Sequence, residues 1–146
     1  MPTIYIMVAL PRSGKSTYVA QHFGALPKVS ADQLRLLIHG RRFWAEKEHE
    51  VWRVRDIMLK ALMEQQLDVV IDETNVTRKN RRPMLKLART YGYNAVAIVI
   101  NTPVEICKQR AIQSNQEDLL PVIEEMAQRY EAVTEEEGFV QVIRVD

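Results

Sequence analysis

The sequence predicts an α/β fold in which about five parallel strands form one sheet with helices on both faces. Apolar runs typical of buried strands recur along the chain, at 3–8, 69–72 and 95–100. Segments with apolar residues at helical spacing separate these runs, and crossover helices are what connect parallel strands. Polar and small residues follow each run, at the edge where ligands bind in open α/β sheets. These observations place the candidate site at the carboxyl ends of the strands.

The first half of the chain contains three predicted strands and three predicted helices. The strands are the runs 3–8, 27–30 and 69–72. The helices cover 16–22, 31–38 and about 46–66. Gly40 ends the second helix, because glycine readily adopts the left-handed conformation that closes a helix. In the third helix Val51, Val54 and Met58 recur at helical spacing, which indicates one buried face.

The second half continues the alternation of helix and strand. We predict helices over Thr77–Tyr91, Pro103–Gln113 and Pro121–Ala132, and strands over 95–100 and 140–145. Gly92 closes the first of these helices, and proline suits the first turn of the other two. The basic residues of the first helix share the face opposite its apolar one; they are Arg78, Arg82, Lys86 and Arg89. The polar stretch 114–120 predicts a mobile connection.

The composition is that of a globular protein. The 146 residues fit a single domain, residues 1–146, and 47% hydrophobic with 27% charged residues exclude a disordered chain. No apolar run is long enough to cross a bilayer, and the N-terminus lacks the basic start and cleavage site of a signal peptide. The single cysteine, Cys107, lies in a helical pattern and predicts a buried structural thiol. These features favour a cytoplasmic protein without a membrane partner.

The net charge of +1 conceals an uneven distribution. Residues 1–110 contain 18 Lys and Arg against 10 Asp and Glu, whereas residues 111–146 contain 2 against 9. A basic body suits a polyanionic substrate such as nucleic acid. Sites for nucleoside triphosphates are basic as well, so the charge by itself allows both interpretations.

The most informative segment is 9–17, Ala-Leu-Pro-Arg-Ser-Gly-Lys-Ser-Thr, between the first strand and the first helix. A strand, a tight loop and a helix start in this order form a cradle whose backbone N–H groups and helix dipole bind a phosphate. The P-loop pattern G-x-x-x-x-G-K-[ST] is met except that Ala9 stands at the first glycine. Alanine fits there if its φ is negative. The segment therefore predicts a nucleoside triphosphate site.

The predicted donor site consists of this loop and the start of the helix. The residues expected to bind ATP, or another nucleoside triphosphate, are Pro11, Arg12, Ser13, Gly14, Lys15, Ser16 and Thr17. Lys15 supplies a positive charge to the terminal phosphates, and the Ser16 hydroxyl is a predicted ligand for Mg²⁺.

Asp72 and Glu73 are two candidates for the acid of the metal site. Asp72 ends a buried strand, the usual place for a carboxylate that holds Mg²⁺ or its water. Glu73 could share or replace this role, and a residue that caps the approach to the next helix is the simpler alternative. Asn75 and Thr77 are interpreted as local capping residues.

Asp32 and Arg35 follow the second strand and lie three residues apart on one helix face. Asp32 is a candidate general base for a hydroxyl acceptor, and Arg35 is a candidate ligand for a substrate phosphate. An acid in a first helical turn is also ordinary, because the helix dipole stabilises it. The spacing alone allows both interpretations.

Together these motifs resemble the 5′-hydroxyl kinase domain of polynucleotide kinases. The resemblance rests on the loop 9–17, on Asp32-x-x-Arg35, on the segment 71–75 and on the C-terminal stretch 130–139, so it covers essentially the whole chain. It implies one P-loop kinase domain with a P-loop NTPase-type sheet of strand order 2-3-1-4-5 and a small lid. It also implies ATP and Mg²⁺ as cofactors and the 5′-hydroxyl ends of DNA or RNA as substrate.

The resemblance assigns roles to individual residues. Lys15 and Ser16 serve the phosphates and Mg²⁺. Asp32 is the general base that activates the 5′-hydroxyl, and Arg35 contacts the neighbouring nucleic-acid phosphate. The acid at the strand end corresponds to Asp72 in some members and to Glu73 in others.

The predicted lid departs from the family pattern. Such lids carry two catalytic arginines four residues apart; Arg110 matches the first, whereas Ser114 stands at the second. Arg110, Arg129 or Arg12 is expected to compensate for the missing charge. The phosphatase motif D-x-D-x-T of bifunctional relatives is absent, so we predict kinase activity alone.

Three functions are compatible with these residues. The leading hypothesis is an ATP-dependent polynucleotide 5′-hydroxyl kinase with Asp32 as general base. In this hypothesis Arg78 extends the surface that binds the nucleic acid, although a solvated helix face is the simpler interpretation of Arg78. The second is a small-molecule kinase with a sugar, nucleoside or antibiotic acceptor enclosed in a pocket. The third is a non-catalytic ATP-binding module, favoured by Ala9 and Ser114. The sequence does not indicate an oligomeric state.

Overall fold

A computed structural model describes residues 1–146 and confirms the predicted architecture. Five strands form one parallel sheet in the order β2-β3-β1-β4-β5. The strands are β1 (Thr3–Val8), β2 (Lys28–Ser30), β3 (Val69–Asp72), β4 (Asn94–Ile100) and β5 (Gln141–Val145). The helices are α1 (Lys15–Phe23), α2 (Ala31–His39), α3 (Glu48–Glu64), α4 (Arg78–Tyr91), α5 (Val104–Gln113) and α6 (Leu120–Arg129).

The sheet separates two apolar clusters, because successive side chains of a strand point to opposite faces. Ile4 and Ile6 of β1 belong to the larger cluster, which includes Leu59 of α3 and Met84 of α4. Met7 belongs to the smaller cluster with Val19 of α1 and with residues of β3 and β4. Both faces of the sheet are therefore covered by helices, as predicted.

Side-chain caps and glycines set the ends of two helices near the candidate site. The Ser30 hydroxyl accepts a hydrogen bond from Gln33 N–H (3.3 Å) at the start of α2. The Thr77 hydroxyl accepts one from Asn80 N–H (3.1 Å) at the start of α4, so its interpretation as a cap is confirmed. Gly40 and Gly92 end these helices at φ 75° and 73°, a region that favours glycine.

Helices α5 and α6, in the region where the lid is predicted, pack on each other. Their small cluster consists of Cys107, Ala111 and Ile123, with Leu10 from the loop after β1 packed against it. Burial raises the pKa of the Cys107 thiol, as expected of a structural cysteine. The connection at 114–120, predicted to be mobile, contains a short 3-10 turn. No helix has the length and hydropathy that crossing a membrane requires.

Candidate active site

The sheet order brings the candidate residues to one edge. β1 lies between β3 and β4, so the loop after β1 is central at the carboxyl edge. β2 pairs with β3 in a register that sets Ser30 opposite Asp72. Helix α2 follows Ser30 directly, and Asp32 lies in its first turn. The acceptor candidates and the donor loop therefore share this edge.

The loop between β1 and α1 has the backbone of an anion cradle. Arg12 and Gly14 have positive φ, 64° and 96°, and Gly14 immediately precedes α1. The Gly14 carbonyl accepts from Tyr18 N–H at 3.0 Å, while the first N–H groups of a helix have no partner within the helix. The Ser13 hydroxyl is buried and has no partner in the protein. Unpaired donors at a helix N-terminus fit the phosphates of a nucleotide.

Ala9 is accommodated without strain where the P-loop pattern has glycine. It is not among the four non-glycine residues that have positive φ. Its N–H donates to the carbonyl of Thr74 at 2.9 Å. This hydrogen bond joins the start of the loop to the turn after β3, and a left-handed conformation that would need glycine is absent.

Lys15, Ser16 and Asp72 form one group beneath the loop. Lys15 Nζ donates to Asp72 Oδ1, and Ser16 Oγ lies 3.5 Å from Asp72 Oδ2. A hydroxyl and one carboxylate suit Mg²⁺, which in such sites binds one or two protein oxygens together with phosphate and water. Of the two acids that the sequence left open, Asp72 is the one that contacts Ser16.

Glu73 makes a different contact. Its Oε1 accepts from an Arg55 NH1 at 3.0 Å, and its Oε2 is buried without a partner. Burial raises the pKa of Glu73, and the charges of Arg55, Arg35 and Lys15 oppose this only in part. Glu73 is therefore connected to α3 through Arg55.

Asp32 and Arg35 form an ion pair that helix α3 holds in place. Arg35 NH1 donates to Asp32 Oδ1 at 2.9 Å, and the Asp32 side chain is 74% exposed. The carboxylate of Glu48 accepts from Arg35 Nε and NH2 at 2.8 and 3.1 Å. Burial lowers the pKa of Arg35, but Glu48 and Asp32 outweigh burial and the pKa lies above its usual value. Glu48 was not among the predicted site residues, because an acid in the first turn of a helix is ordinary.

A tryptophan links this ion pair to Glu73. The guanidinium carbons of Arg35 and Arg55 lie 5.5 and 4.6 Å from the ring centre of Trp52. Arg55 in turn pairs with Glu73. Cation–π contacts of this kind contribute about 0.5–2 kcal/mol each. Trp52 and Arg55 of α3 thereby connect Arg35 to Glu73, the residue next to Asp72.

Arg12 and Arg110 lie at the phosphate loop, whereas Arg129 does not contact it. Arg110 NH1 donates to the carbonyl of Arg12 at 3.3 Å, and Arg12 NH2 donates to Ser114 Oγ at 2.7 Å. Arg129 pairs with Glu125 on the surface of α6. Of the three arginines considered for the lid charge, Arg12 and Arg110 are thus close to the donor loop.

A cavity of about 440 Å³ lies beside the loop. Thr17, Tyr18 and Gln21 of α1 line one part of it, and Thr102 and Asp146 line another. Its volume is in the range of small-molecule pockets and is large enough for a nucleoside. Neither acceptor candidate lines this cavity.

Arg81 of α4 is a fully buried arginine that contacts the turn after β3. Its guanidinium donates to both carboxylate oxygens of Glu137, at 2.9 and 3.1 Å. It also donates to the carbonyls of Asn75 (2.9 Å) and Glu131 (3.1 Å). Arg81 thus ties the turn after β3 to the C-terminal segment.

The burial of Arg81 has a signal in the sequence, although Arg81 was not among the predicted site residues. Met84, Leu85 and Ala88 follow it by three, four and seven residues, so Arg81 lies on the apolar stripe of α4. The neighbouring Arg78 is exposed, as predicted for the basic face.

A known family matches most of the chain. A family model described as an AAA domain matches residues 4–136. The chain belongs to this family. Its sheet order and its phosphate loop are those of the P-loop kinase fold.

One relative of this AAA domain is an archaeal kinase. The chain is 24% identical over 133 residues to the L-seryl-tRNA(Sec) kinase of Methanococcus maripaludis. The match covers 88% of this chain and 52% of the relative. The chain thus spans about half the length of that relative.

Solved structures similar to this AAA domain include an RNA repair complex and an APS kinase. The Pnkp1/Rnl/Hen1 complex matches with TM-score 0.65 and 27% identity, over 75% of this chain and 38% of that chain. A second structure, of the Pnkp1/Rnl/Hen1 RNA repair complex, matches with TM-score 0.67 and 20% identity, over 89% of this chain and 46% of that chain. The APS kinase CysC of Mycobacterium tuberculosis matches with TM-score 0.68 and 16% identity, over 99% and 89%.

Proposed function

We propose that this AAA domain transfers the γ-phosphate of ATP to the 5′-hydroxyl end of a polynucleotide, DNA or RNA. The position of Asp32 carries the proposal. Its carboxylate is exposed at the edge that also holds the phosphate loop, and it lies outside the cavity beside that loop. An acceptor that approaches Asp32 therefore meets an open surface. The end of a long polyanion suits such a surface, whereas a small molecule is normally enclosed.

On the donor side, the loop amides and Lys15 bind the terminal phosphates of ATP. Arg12 and Arg110 add positive charge beside them. Ser16 and Asp72 would hold Mg²⁺, which would neutralise phosphate charge when bound. The nucleoside occupies the cavity next to the loop.

On the acceptor side, Asp32 is the general base. One of its oxygens accepts the proton of the 5′-hydroxyl while the hydroxyl oxygen bonds to the γ-phosphorus. The bond from the γ-phosphorus to the bridging oxygen breaks, and ADP leaves. Arg35, oriented by Glu48, contacts the phosphate that follows the terminal nucleoside. Arg78, exposed in the first turn of α4, extends the surface that binds the polynucleotide.

The relatives support a nucleic-acid acceptor. The name of the archaeal relative specifies an aminoacylated tRNA as its substrate, and Pnkp1 belongs to a complex described as acting in RNA repair. The similarity to APS kinase favours the alternative, a small-molecule kinase of the same fold. The exposed Asp32 supports the polynucleotide acceptor, because a metabolite kinase normally encloses its acceptor in a pocket.

An acceptor panel with γ-labelled ATP and Mg²⁺ tests the proposed function. The panel contains 5′-hydroxyl DNA and RNA oligonucleotides beside sugars, nucleosides and antibiotics, with Lys15→Ala as the inactive control. We expect label on the oligonucleotides alone. Label on a metabolite but not on oligonucleotides would establish the small-molecule alternative. Binding of ATP without transfer to any acceptor would indicate the non-catalytic module.

Arg12→Ala is expected to lower kcat/KM for ATP by about 10- to 100-fold, the effect of losing one charge-assisted hydrogen bond. Ser114→Ala removes only the neutral hydroxyl that orients Arg12 and is expected to cost about two- to tenfold. Steady-state kinetics with varied ATP measure both effects. Arg129→Ala is the matched control, because Arg129 pairs with Glu125 instead. A loss in Arg129→Ala equal to that in Arg12→Ala would contradict the role of Arg12.

A further inference from the structure

The loop between α2 and α3 presents an aromatic ring to solvent beside the acceptor pair. Phe43 is 61% exposed and is the most exposed phenylalanine, tyrosine or tryptophan side chain of the protein. Its ring centre lies 5.8 Å from the guanidinium carbon of Arg35. The same guanidinium donates to Asp32. One guanidinium group therefore separates the exposed ring from the carboxylate that faces the acceptor.

Two arginines, Arg41 and Arg42, directly precede Phe43 in this loop. Arg41 is exposed, and its guanidinium carbon lies 4.0 Å from the ring centre of Trp44. Arg42 pairs with Asp118 of the lid connection, which brings the Phe43 loop to the lid. Exposed aromatics between cations are the arrangement that binds single-stranded nucleic acid, by stacking on bases and by attraction of phosphates.

We propose that Phe43 stacks on the base of the 5′-terminal nucleotide of the acceptor. The inference rests on the proposed function, since Asp32 must face the 5′-hydroxyl of that same nucleotide. Arg35 then contacts a phosphate of the acceptor, and the adjacent ring contacts its base. Stacking tolerates every base, because each base has a π face. The site therefore requires a base at the 5′ end without selecting its identity.

Steady-state kinetics with two acceptors test this inference. One is a single-stranded 5′-hydroxyl oligonucleotide, and the other is the same oligonucleotide with an abasic 5′ residue. Phe43→Ala is expected to raise KM for the base-bearing acceptor by about 5- to 150-fold, the range for one base–aromatic stack. We expect kcat, and KM for the abasic acceptor, to stay within about twofold of wild type. Phe43→Tyr should retain the wild-type KM.

A matched control and a direct binding measurement complete the test. Ile57→Ala removes an equally exposed apolar side chain from the middle of α3 and is expected to behave as wild type. A 5′-terminal 2-aminopurine should be quenched on binding to wild type and not on binding to Phe43→Ala. An equal KM change for both acceptors, or no change for either, would overturn the inference while the proposed function stands. Failure of the wild type to phosphorylate either oligonucleotide would overturn both.

Discussion

Asp32→Asn is expected to lower kcat for a 5′-hydroxyl oligonucleotide by about 10²- to 10⁴-fold, the usual contribution of a general base. Asparagine has the size of aspartate and its carbonyl can still accept from Arg35, so the ion-pair geometry is largely preserved. The amide cannot take up the proton of the acceptor hydroxyl. Single-turnover phosphate transfer at saturating ATP measures the loss.

The binding of ATP separates a catalytic effect from a structural one. The dissociation constant of ATP for Asp32→Asn should remain within about twofold of wild type, because Asp32 lies outside the donor cavity. Glu64→Gln, an exposed acid neutralised at the far end of α3, is the matched control and should retain full activity. Near-normal transfer by Asp32→Asn would remove Asp32 from the reaction.

Arg81→Met is expected to lower the free energy of unfolding by about 3–5 kcal/mol, the cost of leaving a buried charge without its partner. Glu137 would lose both guanidinium hydrogen bonds, and the carbonyls of Asn75 and Glu131 would lose a donor. Urea unfolding followed by circular dichroism measures the change. A lower midpoint at an unchanged slope indicates lost stability.

Two further variants test the physical reason for this loss. Arg82→Met changes the adjacent, exposed arginine and is expected to stay within about 0.5 kcal/mol of wild type. The double variant Arg81→Met/Glu137→Leu removes both charges and should recover much of the stability, since an apolar pair needs no desolvation of ions. A loss in Arg81→Met no larger than that in Arg82→Met would contradict a structural role for the buried pair.

The conformation of the segment 9–17 was largely predictable because it depends on neighbours in the chain. The loop 9–17 carries its amides, its lysine and its hydroxyl within one turn, and strand and helix patterns flank it. The apolar periodicities likewise predicted five strands and six helices with nearly correct bounds. For Ala9 the sequence set only a condition, a φ that is not positive, and the structure meets it.

Side-chain partners distant in the sequence were not predictable. Asp72 and Glu73 are adjacent in the chain, yet Asp72 contacts the phosphate loop and Glu73 contacts α3. Glu48 bonds Arg35 across 13 residues, and Arg81 bonds Glu137 across 56. Sequence periodicity does not reveal either pair. It indicates which face of a helix or strand is apolar, but not which surfaces pack against each other.

The order of apolar and polar residues was thus sufficient to specify a parallel sheet with a nucleotide loop at its carboxyl edge. This follows because strand, turn and helix preferences act over a few residues. Only the tertiary structure showed that Asp72 and Glu73 have different partners, that Glu48 pairs with Arg35, and that Phe43 is exposed. These features depend on which side chains the packed helices bury and which they leave in contact with water.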